Sequence, residues 1–463
     1  MVRISMRITT VRSDGLAALS YFVSSENEAI VIDPRRDASI YHDLAKESET
    51  KIRYIFETHR NEDLVTGSLE LQSYQSNAEI GHSKATKFGF GEHDISDGEV
   101  FKVGQMQITC LSTPGHTDDS ICYAVADTSV SSYPIVVFTG DTLFVNEVGR
   151  TDLVDIKKHA EMSKKLYTSL HEKLLPLGDD IIIHPAHGAG SVCGGDIGDR
   201  EFSTIGYERK HNPWLSMDEN EFVKAKVNQQ LTLSPYFKRC EKLNTDGPAL
   251  LSTLDPISGL SIDEFEKLIE QPEHRAIDTR SKYEFLDGHV PKSISMSLGN
   301  IGLLAGWALR SSQSFSFILP DSNFISQATA PLYRVGLDNI IGYLEGGYDT
   351  WVKSGKAVSS IPALSAKDLH SQIQTKTITL VDVREEHEFH KERIKGSQSF
   401  PLTSLEEDIS KDPSLQDIVT ICPSGFRSTT AASIFEHHGA SGVAVLVDGL
   451  KEWKGQGYTL EGN

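Results

Sequence analysis

An internal repeat constrains the fold of the second half of this 463-residue chain. The segment IDTRSKYEF at 277–285 recurs as VDVREEHEF at 381–389, and EGGYDTW at 345–351 recurs as VDGLKEW at 447–453. The nearly equal offsets, 104 and 102 positions, indicate a domain duplication. Each copy opens as strand, turn and helix and closes as strand, glycine and helix, which predicts a small α/β domain with a parallel sheet.

The first half contains short apolar strands that end in polar clusters. They read AIVIDP, IRYIFETH, MQITCLSTPGH, YPIVVFTGD and DIIIHPAH, and 155–175 has helical spacing. The basic N-terminus could be read as a transit peptide, but its alternation favours a hairpin of the fold. The Gly-, Pro- and Ser-rich stretch 240–262 predicts a linker. We therefore place the domains at 1–240, 262–358 and 361–463.

Composition limits the partners of the chain. Its net charge of −20 disfavours nucleic acid and anionic lipid, and no apolar run is long enough to cross a membrane. The five cysteines are few, odd in number and widely spaced, which favours a reducing compartment. We expect a cytoplasmic protein with small-molecule substrates; the sequence leaves open whether it forms homo-oligomers.

Metal-ligating side chains follow the predicted strands in a fixed order. They are the series from His59 to Leu64, then His116, Asp141, and finally His184 and His187. This series resembles the metallo-β-lactamase superfamily, whose first motif is His-x-His-x-Asp-His. The resemblance implies an αββα metallo-β-lactamase sandwich for the first domain. With the two repeated α/β domains, the predicted fold class is multidomain, α+β and α/β.

Two departures from that motif are informative. Asn61 and Leu64 stand where the superfamily has its second and third histidines, and neither suits a second zinc ion. His59, His116 and Asp141 remain, and two histidines with one carboxylate suit non-haem Fe(II). The series therefore predicts one metal ion per chain.

The same segments resemble persulfide dioxygenases. The similar stretches are TPGHTDDS, FTGDTLF, VGRTDL, HPAHGAGSVCG and GYERKHN. The resemblance implies Fe(II) on His59, His116 and Asp141, and it implies that Arg150 contacts an anionic carrier thiol such as glutathione. It leaves supporting or structural roles for four further residues: Asp63, His184, His187 and Cys193.

The segment VTICPSGFRSTTAASIF at 419–435 predicts a strand, a tight loop and a helix. Cys422 begins the loop and Arg427 ends it, and we expect both to be catalytic. Backbone N–H groups in such a loop and the charge of Arg427 favour a thiolate at Cys422. Four residues between them favour sulfur chemistry, because a phosphatase loop of related design needs five. The motif resembles the rhodanese active-site loop, which implies that Ser424 and Gly425 contact substrate. The resemblance implies a metallo-β-lactamase sandwich followed by two rhodanese-like domains, as in persulfide dioxygenases fused to rhodanese domains.

The first copy lacks this loop. Its FILPDSN segment places Leu319 and Pro320 opposite Cys422 and Pro423. Leucine has no nucleophile, so we expect 262–358 to be catalytically silent, either as a spacer or as a docking wall.

The combined hypothesis is a persulfide dioxygenase and sulfurtransferase. It would use O₂ and one Fe(II) per chain to convert a low-molecular-weight persulfide to sulfite, and it would form thiosulfate through Cys422. A decayed iron site stays open, because Asn61 and Leu64 could have lost supporting roles. The alternatives are a zinc thioester hydrolase of the glyoxalase II type and a metal-free binding module fused to a sulfurtransferase.

Overall fold

The computed structural model describes residues 6–229, 231–375, 378–411 and 416–462. The chain forms two compact units. The first comprises the residues up to 233 together with 237–253, and the second comprises 234–236 and the residues from 254 onward. The first unit thus extends past the boundary expected at 240, because part of the expected linker folds onto it.

Two six-stranded sheets form the first unit. The first sheet has the spatial order β1 (Arg7–Ser13), β2 (Ala18–Ser25), β3 (Glu28–Ile32), β4 (Lys51–Phe56), β5 (Glu79–Ser83) and β6 (His93–Ile95). The second contains β7 (Val100–Val103), β8 (Met106–Ser112), β9 (Ile121–Asp127), β10 (Val136–Gly140), β11 (Ile182–Pro185) and β12 (Ser203–Thr204), in the order β12-β11-β10-β9-β8-β7. The five strands predicted from their apolar runs are β3, β4, β8, β10 and β11.

The antiparallel pairing of β1 with β2 is the predicted N-terminal hairpin, whose first five residues lie outside the described residues. In the first sheet β3, β4, β5 and β6 run parallel. In the second, β10 pairs with β11 in parallel and the other pairs are antiparallel.

Helices cover both outer faces of the first unit. They are α1 (Ser39–Glu47), α2 (Ser68–Tyr74), α3 (His159–Thr168), α4 (Ile205–His211), α5 (Glu219–Asn228) and α6 (Phe237–Asp246). A π-helix (Ser169–Leu174) and a 3₁₀ turn (Leu175–Leu177) extend α3, so the helical spacing at 155–175 is confirmed.

The core of the first unit lies between its sheets. Tyr21 and Phe56 of the first sheet pack there with Ile108, Tyr123 and Phe138 of the second. Separate clusters join α1 and α2 to the first sheet and α3 to the second. This αββα arrangement confirms the predicted sandwich.

The second unit contains two α/β domains with the same parallel topology. The first has β13 (Ser258–Leu260), β14 (His274–Asp278), β15 (Ile294–Ser295), β16 (Ser314–Ile318) and β17 (Ile340–Leu344), with α7 (Ile262–Ile269), α8 (Lys282–Asp287), α9 (Ile301–Ala308), α10 (Ile325–Arg334) and α11 (Gly347–Lys353). The second has β18 (Ala363–Leu364), β19 (Thr379–Asp382), β20 (Gln398–Ser399), β21 (Ile418–Ile421) and β22 (Ala444–Leu446), with α12 (Ala366–Gln372), α13 (Glu386–Lys391), α14 (Leu405–Lys411), α15 (Phe426–His437) and α16 (Gly449–Gly455). Their strand orders, β13-β17-β16-β14-β15 and β18-β22-β21-β19-β20, are equivalent, which confirms the duplication.

The repeated residues have structural roles in both copies. Arg280 makes a double contact with Asp278, and Arg384 does the same with Asp382. These ion pairs brace the turn after the first central strand of each domain. The repeated Asp and Arg thus have the same structural role in both copies, including the copy without a cysteine.

In the part of the chain that the structure describes, no helix combines the length and apolar character needed to cross a membrane.

Candidate functional site

The three predicted metal ligands meet at one edge of the first unit. His59 follows β4, His116 follows β8, and Asp141 directly follows β10. Asp141 Oδ2 lies 3.8 Å from His59 Nε2 and 3.4 Å from His116 Nε2. Gly140 permits this approach, because its φ is +51° and a Cβ there would lie 2.7 Å from the Thr58 side chain.

Both predicted ligand histidines are oriented by a hydrogen bond at their Nδ1 atom. Thr58 Oγ1 donates to Asp33 Oδ2 at 2.8 Å, so it accepts from His59 Nδ1 at 2.9 Å. His116 Nδ1 donates to the carbonyl of Arg150 at 2.9 Å. These bonds leave the lone pair of each histidine on Nε2, as a metal site requires.

Glu62 joins the same cluster, a residue that the motif comparison did not select. Its carboxylate oxygens lie 3.1 Å from His116 Nε2 and 3.9 Å from His59 Nε2. The superfamily motif marks positions 61 and 64 but not 62, so no signal in that motif points to it. A carboxylate three positions after a ligand histidine in a compact loop was the available clue.

The cluster holds polar atoms that hydrogen bonds leave unpaired. Among the described residues, His59 Nε2, Glu62 Oε2 and Asp141 Oδ2 are buried and have no hydrogen-bond partner. Unpaired buried polar atoms are costly, and converging ones indicate a ligand. Ligand atoms about 2.0–2.2 Å from one ion lie about 3–3.5 Å apart. The separations of His116 Nε2 from Glu62 and Asp141, 3.1 and 3.4 Å, lie in this range, and those of His59 Nε2 from the same carboxylates, 3.9 and 3.8 Å, are slightly longer.

The charge balance of the cluster also favours a cation. Burial alone lowers the pKa of His116, but Glu62 and Asp141 outweigh it and raise that pKa to about 9. Burial likewise opposes ionisation of Asp141, yet the nearby histidines, His187 first, bring its pKa well below the usual range. Positive charge is therefore stabilised here, and a metal ion would supply it.

Asn244 of α6 holds the loop that carries His59 and Glu62. Its amide nitrogen donates to the carbonyls of Asn61 and Leu64 at 2.6 and 2.7 Å, and its amide oxygen accepts from Thr66 N at 2.8 Å. Asn244 is fully buried. Asn61 and Leu64, which replace the second-metal histidines, are thus fixed through their main chain.

His187 links two carboxylates behind the cluster. Its Nδ1 donates to Asp141 Oδ1 at 2.7 Å, and its Nε2 lies 2.9 Å from Asp63 Oδ2. The ring therefore orients Asp141 from outside the cluster. His184 instead stacks on Phe138, and burial lowers its pKa to about 4.

The Cys193 thiol lies beside the cluster. Its Sγ is 3.7 Å from Glu62 Oε1, within the group of potential ligand atoms that also includes His116 and Asp141. Burial raises the pKa of this thiol well above its ordinary value. Without a metal ion, Cys193 is therefore a neutral thiol.

Groups of the protein accept the hydrogen bonds of the Arg150 guanidinium. Nε and Nη2 donate to the Asp152 carboxylate at 2.7 and 2.8 Å. The remaining donors reach the carbonyls of Val192, Thr232 and Leu231. All five N–H groups thus have an acceptor, and a substrate carboxylate would have to displace one of them.

Cys422 lies at the end of β21, at the base of the predicted loop. Its Sγ accepts a hydrogen bond from Gly425 N at 3.1 Å and lies 3.3 Å from Ser428 Oγ. Gly425 has φ +87°, and a Cβ there would lie 1.7 Å from the carbonyl oxygen of Val447. The loop geometry therefore requires glycine at this position.

Arg427 pairs with a carboxylate. Its Nη1 and Nη2 donate to the two carboxylate oxygens of Glu388 at 2.6 and 2.8 Å. Burial raises the pKa of Glu388, but Arg427 more than offsets this and the pKa is lowered. The ion pair anchors the first turn of α15 to α13.

The silent copy places Leu319 at the position of Cys422. Leu319 follows β16 as Cys422 follows β21. A Cβ on Gly347 would lie 2.5 Å from the Leu319 carbonyl oxygen, and one on Gly449 would lie 2.2 Å from that of Cys422. The two positions are equivalent, so the first copy has an apolar side chain in place of the thiol.

Comparison with known proteins agrees with this architecture. A model of the metallo-β-lactamase superfamily matches residues 13–187, and a model of the rhodanese-like domain matches 261–354 and 365–456. A solved metallo-β-lactamase structure from Staphylococcus aureus subsp. aureus COL is 28% identical with a TM-score of 0.65, covering 73% of this chain and 98% of that one.

Two curated relatives represent the rival activities. The probable hydroxyacylglutathione hydrolase glo2 of Schizosaccharomyces pombe is 32% identical over 161 residues, which are 34% of this chain and 57% of the relative. The mitochondrial persulfide dioxygenase ETHE1 of Homo sapiens is 32% identical over 209 residues, which are 44% of this chain and 73% of the relative. The chain therefore belongs to the persulfide dioxygenase family of the metallo-β-lactamase superfamily, and its second half consists of two rhodanese-like domains.

Proposed function

We propose that the protein oxidises a low-molecular-weight persulfide, such as glutathione persulfide, to sulfite and converts sulfite to thiosulfate through Cys422. In the first reaction the outer sulfur gives four electrons to O₂. O₂ and one water provide the three oxygens of sulfite, the S–S bond breaks, and the carrier leaves as a thiol. The observation that carries this half is the convergence of two histidines and a carboxylate at one cation site.

His59, His116 and Asp141 would hold a single Fe(II), which would supply O₂ activation. Thr58 and the Arg150 carbonyl keep both Nε2 atoms directed at the ion, while His187 fixes the Asp141 carboxylate. The three side chains are buried, so the charges that would hold the ion are little screened by solvent.

The second half is a sulfur transfer at Cys422. The Cys422 thiolate attacks the outer sulfur of a second persulfide, whose S–S bond breaks and whose carrier leaves as a thiol. Sulfite then attacks the sulfur held on Cys422, a new S–S bond forms, and the Cys422 thiolate leaves. The Gly425 N–H group donates to Sγ, so it can stabilise negative charge on the leaving sulfur. Because both reactions occur on one chain, tethering raises the effective concentration of sulfite at the second site.

The compartment belongs to the same proposal. All five cysteines are free, as expected for a reducing compartment such as the cytoplasm. Free thiols also suit a protein that handles thiols and persulfides.

Metal analysis tests the iron site directly. We expect about one Fe(II) per chain, because two histidines and one carboxylate favour iron when the second-metal histidines are missing. Protein isolated anaerobically is assayed for metals and then for O₂ uptake with glutathione persulfide. Two zinc ions per chain with thioester hydrolysis would favour the hydrolase alternative, and metal-free protein would favour the binding module.

We also propose that Glu62 is a further ligand of this ion. Replacing Glu62 by Gln is expected to weaken iron binding about 10–100-fold, the range typical of perturbed metal sites. The dissociation constant is measured by chelator competition. Glu241→Gln, which removes an exposed carboxylate paired with Arg60, is the control. Equal affinity in the Glu62 variant and the parent would remove Glu62 from the ligand set without affecting the proposed reaction.

The carrier-binding role of Arg150 stays a prediction, because the same guanidinium forms an ion pair with Asp152 within the fold. Arg150→Ala leaves the partly buried Asp152 without its partner, so we expect the free energy of unfolding to fall by about 1–3 kcal/mol. If the guanidinium also binds the carrier, KM for glutathione persulfide rises strongly in the same variant. Urea unfolding and steady-state kinetics are measured together. A loss of stability at unchanged KM would assign Arg150 to the fold alone.

A further inference from the structure

The silent rhodanese-like domain supplies a lysine to the cysteine loop of its partner domain within the second unit. Lys282 is the first residue of α8 and is 7% exposed. Its Nζ donates to the carbonyls of Ser424 and Val447 at 2.8 and 2.7 Å and lies 3.1 Å from Asp448 Oδ1. The three hydrogens of the ammonium group thus have three acceptors in the other domain.

One of these contacts acts on the peptide unit that faces the sulfur. The Ser424 carbonyl and the Gly425 N–H group belong to the same peptide, and a trans peptide directs them in opposite directions. Lys282 holds the oxygen on one side, while the N–H group donates to Cys422 Sγ at 3.1 Å on the other. A charged donor on the oxygen also polarises the N–H group.

The second contact closes the loop from behind. Val447 O, which Lys282 also binds, is the atom that a Cβ on Gly425 would meet at 1.7 Å. The ammonium therefore bridges two backbone segments that touch at Gly425. Its own position is fixed by the Ser281 capping box at the start of α8.

Lys282 is not part of the repeated pattern. The equivalent position of the second copy, 104 residues later, is the exposed Glu386. The charge at this position is therefore opposite in the copy that carries the cysteine. The lysine is therefore not a feature of the shared fold, and the three acceptors of its ammonium group all lie in the second copy.

We propose that Lys282 is a positioning residue for sulfur transfer, and that the silent domain is needed to complete the active loop around Cys422. Lys282 does not contact Sγ in this arrangement; it acts through the Ser424–Gly425 peptide. The inference rests on the sulfur-transfer half of the proposed function.

The test uses the full chain with Lys282→Met, Lys282→Arg and Lys282→Gln. Lys356→Met is the matched control, because Lys356 pairs with Glu266 in the same domain and not with the loop. Sulfur transfer from thiosulfate to cyanide gives kcat and KM. The rate of Cys422 alkylation by iodoacetamide, followed by mass spectrometry across pH, reads the loop without turnover.

We expect Lys282→Met to lower kcat on the order of tenfold to a hundredfold, because a misdirected N–H group loses part of an anion-stabilising contact. KM should change little, and the alkylation profile should move to higher pH. Lys282→Arg should restore most of the rate, and Lys356→Met should match the parent.

A parental kcat and alkylation profile in Lys282→Met would overturn the inference while leaving the proposed function intact. If that variant does not fold, Lys282→Gln is decisive, because its amide ends one bond short of the ammonium position and has two N–H groups for three acceptors; parental behaviour there overturns the inference. An inactive parent chain would refute the proposed sulfur transfer, and the alkylation profiles would still test Lys282.

Discussion

Asp141→Ala is expected to abolish O₂ uptake with glutathione persulfide and to remove bound iron. Asp141 lies within 4 Å of both predicted ligand histidines, and its loss leaves two imidazoles and Glu62, a set with one carboxylate fewer and a weaker one for Fe(II). Outer contacts alone cost 10–100-fold, so removing a ligand should cost on the order of a hundredfold or more. O₂ consumption and iron content are measured on the same preparation.

Asp141→Asn separates this effect from misfolding. The amide keeps the shape of the side chain and can still accept from His187, but it removes the charge. We expect the same loss of iron with a parental unfolding curve. Cyanide-dependent sulfur transfer should persist in both variants, because Cys422 lies in the other unit. Full iron binding by Asp141→Ala would contradict the proposed site.

Cys422→Ser is expected to abolish thiosulfate formation and leave O₂ uptake unchanged. Serine keeps the size of the side chain, but its hydroxyl stays protonated near neutral pH and cannot hold sulfane sulfur. The variant should release sulfite where the parent releases thiosulfate. Product analysis by chromatography, after subtraction of the non-enzymatic reaction, is the measurement.

Asp141→Ala and Cys422→Ser are controls for each other, because each should remove one reaction and leave the other. Thiosulfate production by Cys422→Ser at the parental rate would exclude the second rhodanese-like domain as the transferase. Loss of O₂ uptake in Cys422→Ser would show that the two reactions are coupled through more than a shared intermediate.

The sequence predicted the parts of the site that strands deliver. His59, His116 and Asp141 each follow an apolar strand, so their convergence at one rim of the sheet core could be expected from periodicity and order alone. The internal repeat similarly placed Leu319 opposite Cys422. These features follow from local pattern and topology, which a sequence carries directly.

Contacts between distant side chains could not be predicted in this way. Arg150 was identified by a motif, yet Asp152 and backbone carbonyls take all its donors. Arg427 was expected to help the thiolate, and it pairs with Glu388. Lys282 carries no signal in the sequence, because its acceptors are backbone carbonyls 142 and 165 positions away.

The hydrogen bonds between Asn244 and the loop at 59–66 determine where the chain can be shortened without disturbing the first unit. A shortened chain ending at 240 would keep all the candidate ligands but lose the side chain that fixes the main chain of Asn61, Leu64 and Thr66. Such a fragment would bind metal weakly and be more easily cleaved by protease within 59–66. Extending the fragment to 253 restores the whole first unit. A fragment made to study the first unit separately should therefore end at this structural boundary and not at 240, where the glycine- and proline-rich stretch begins.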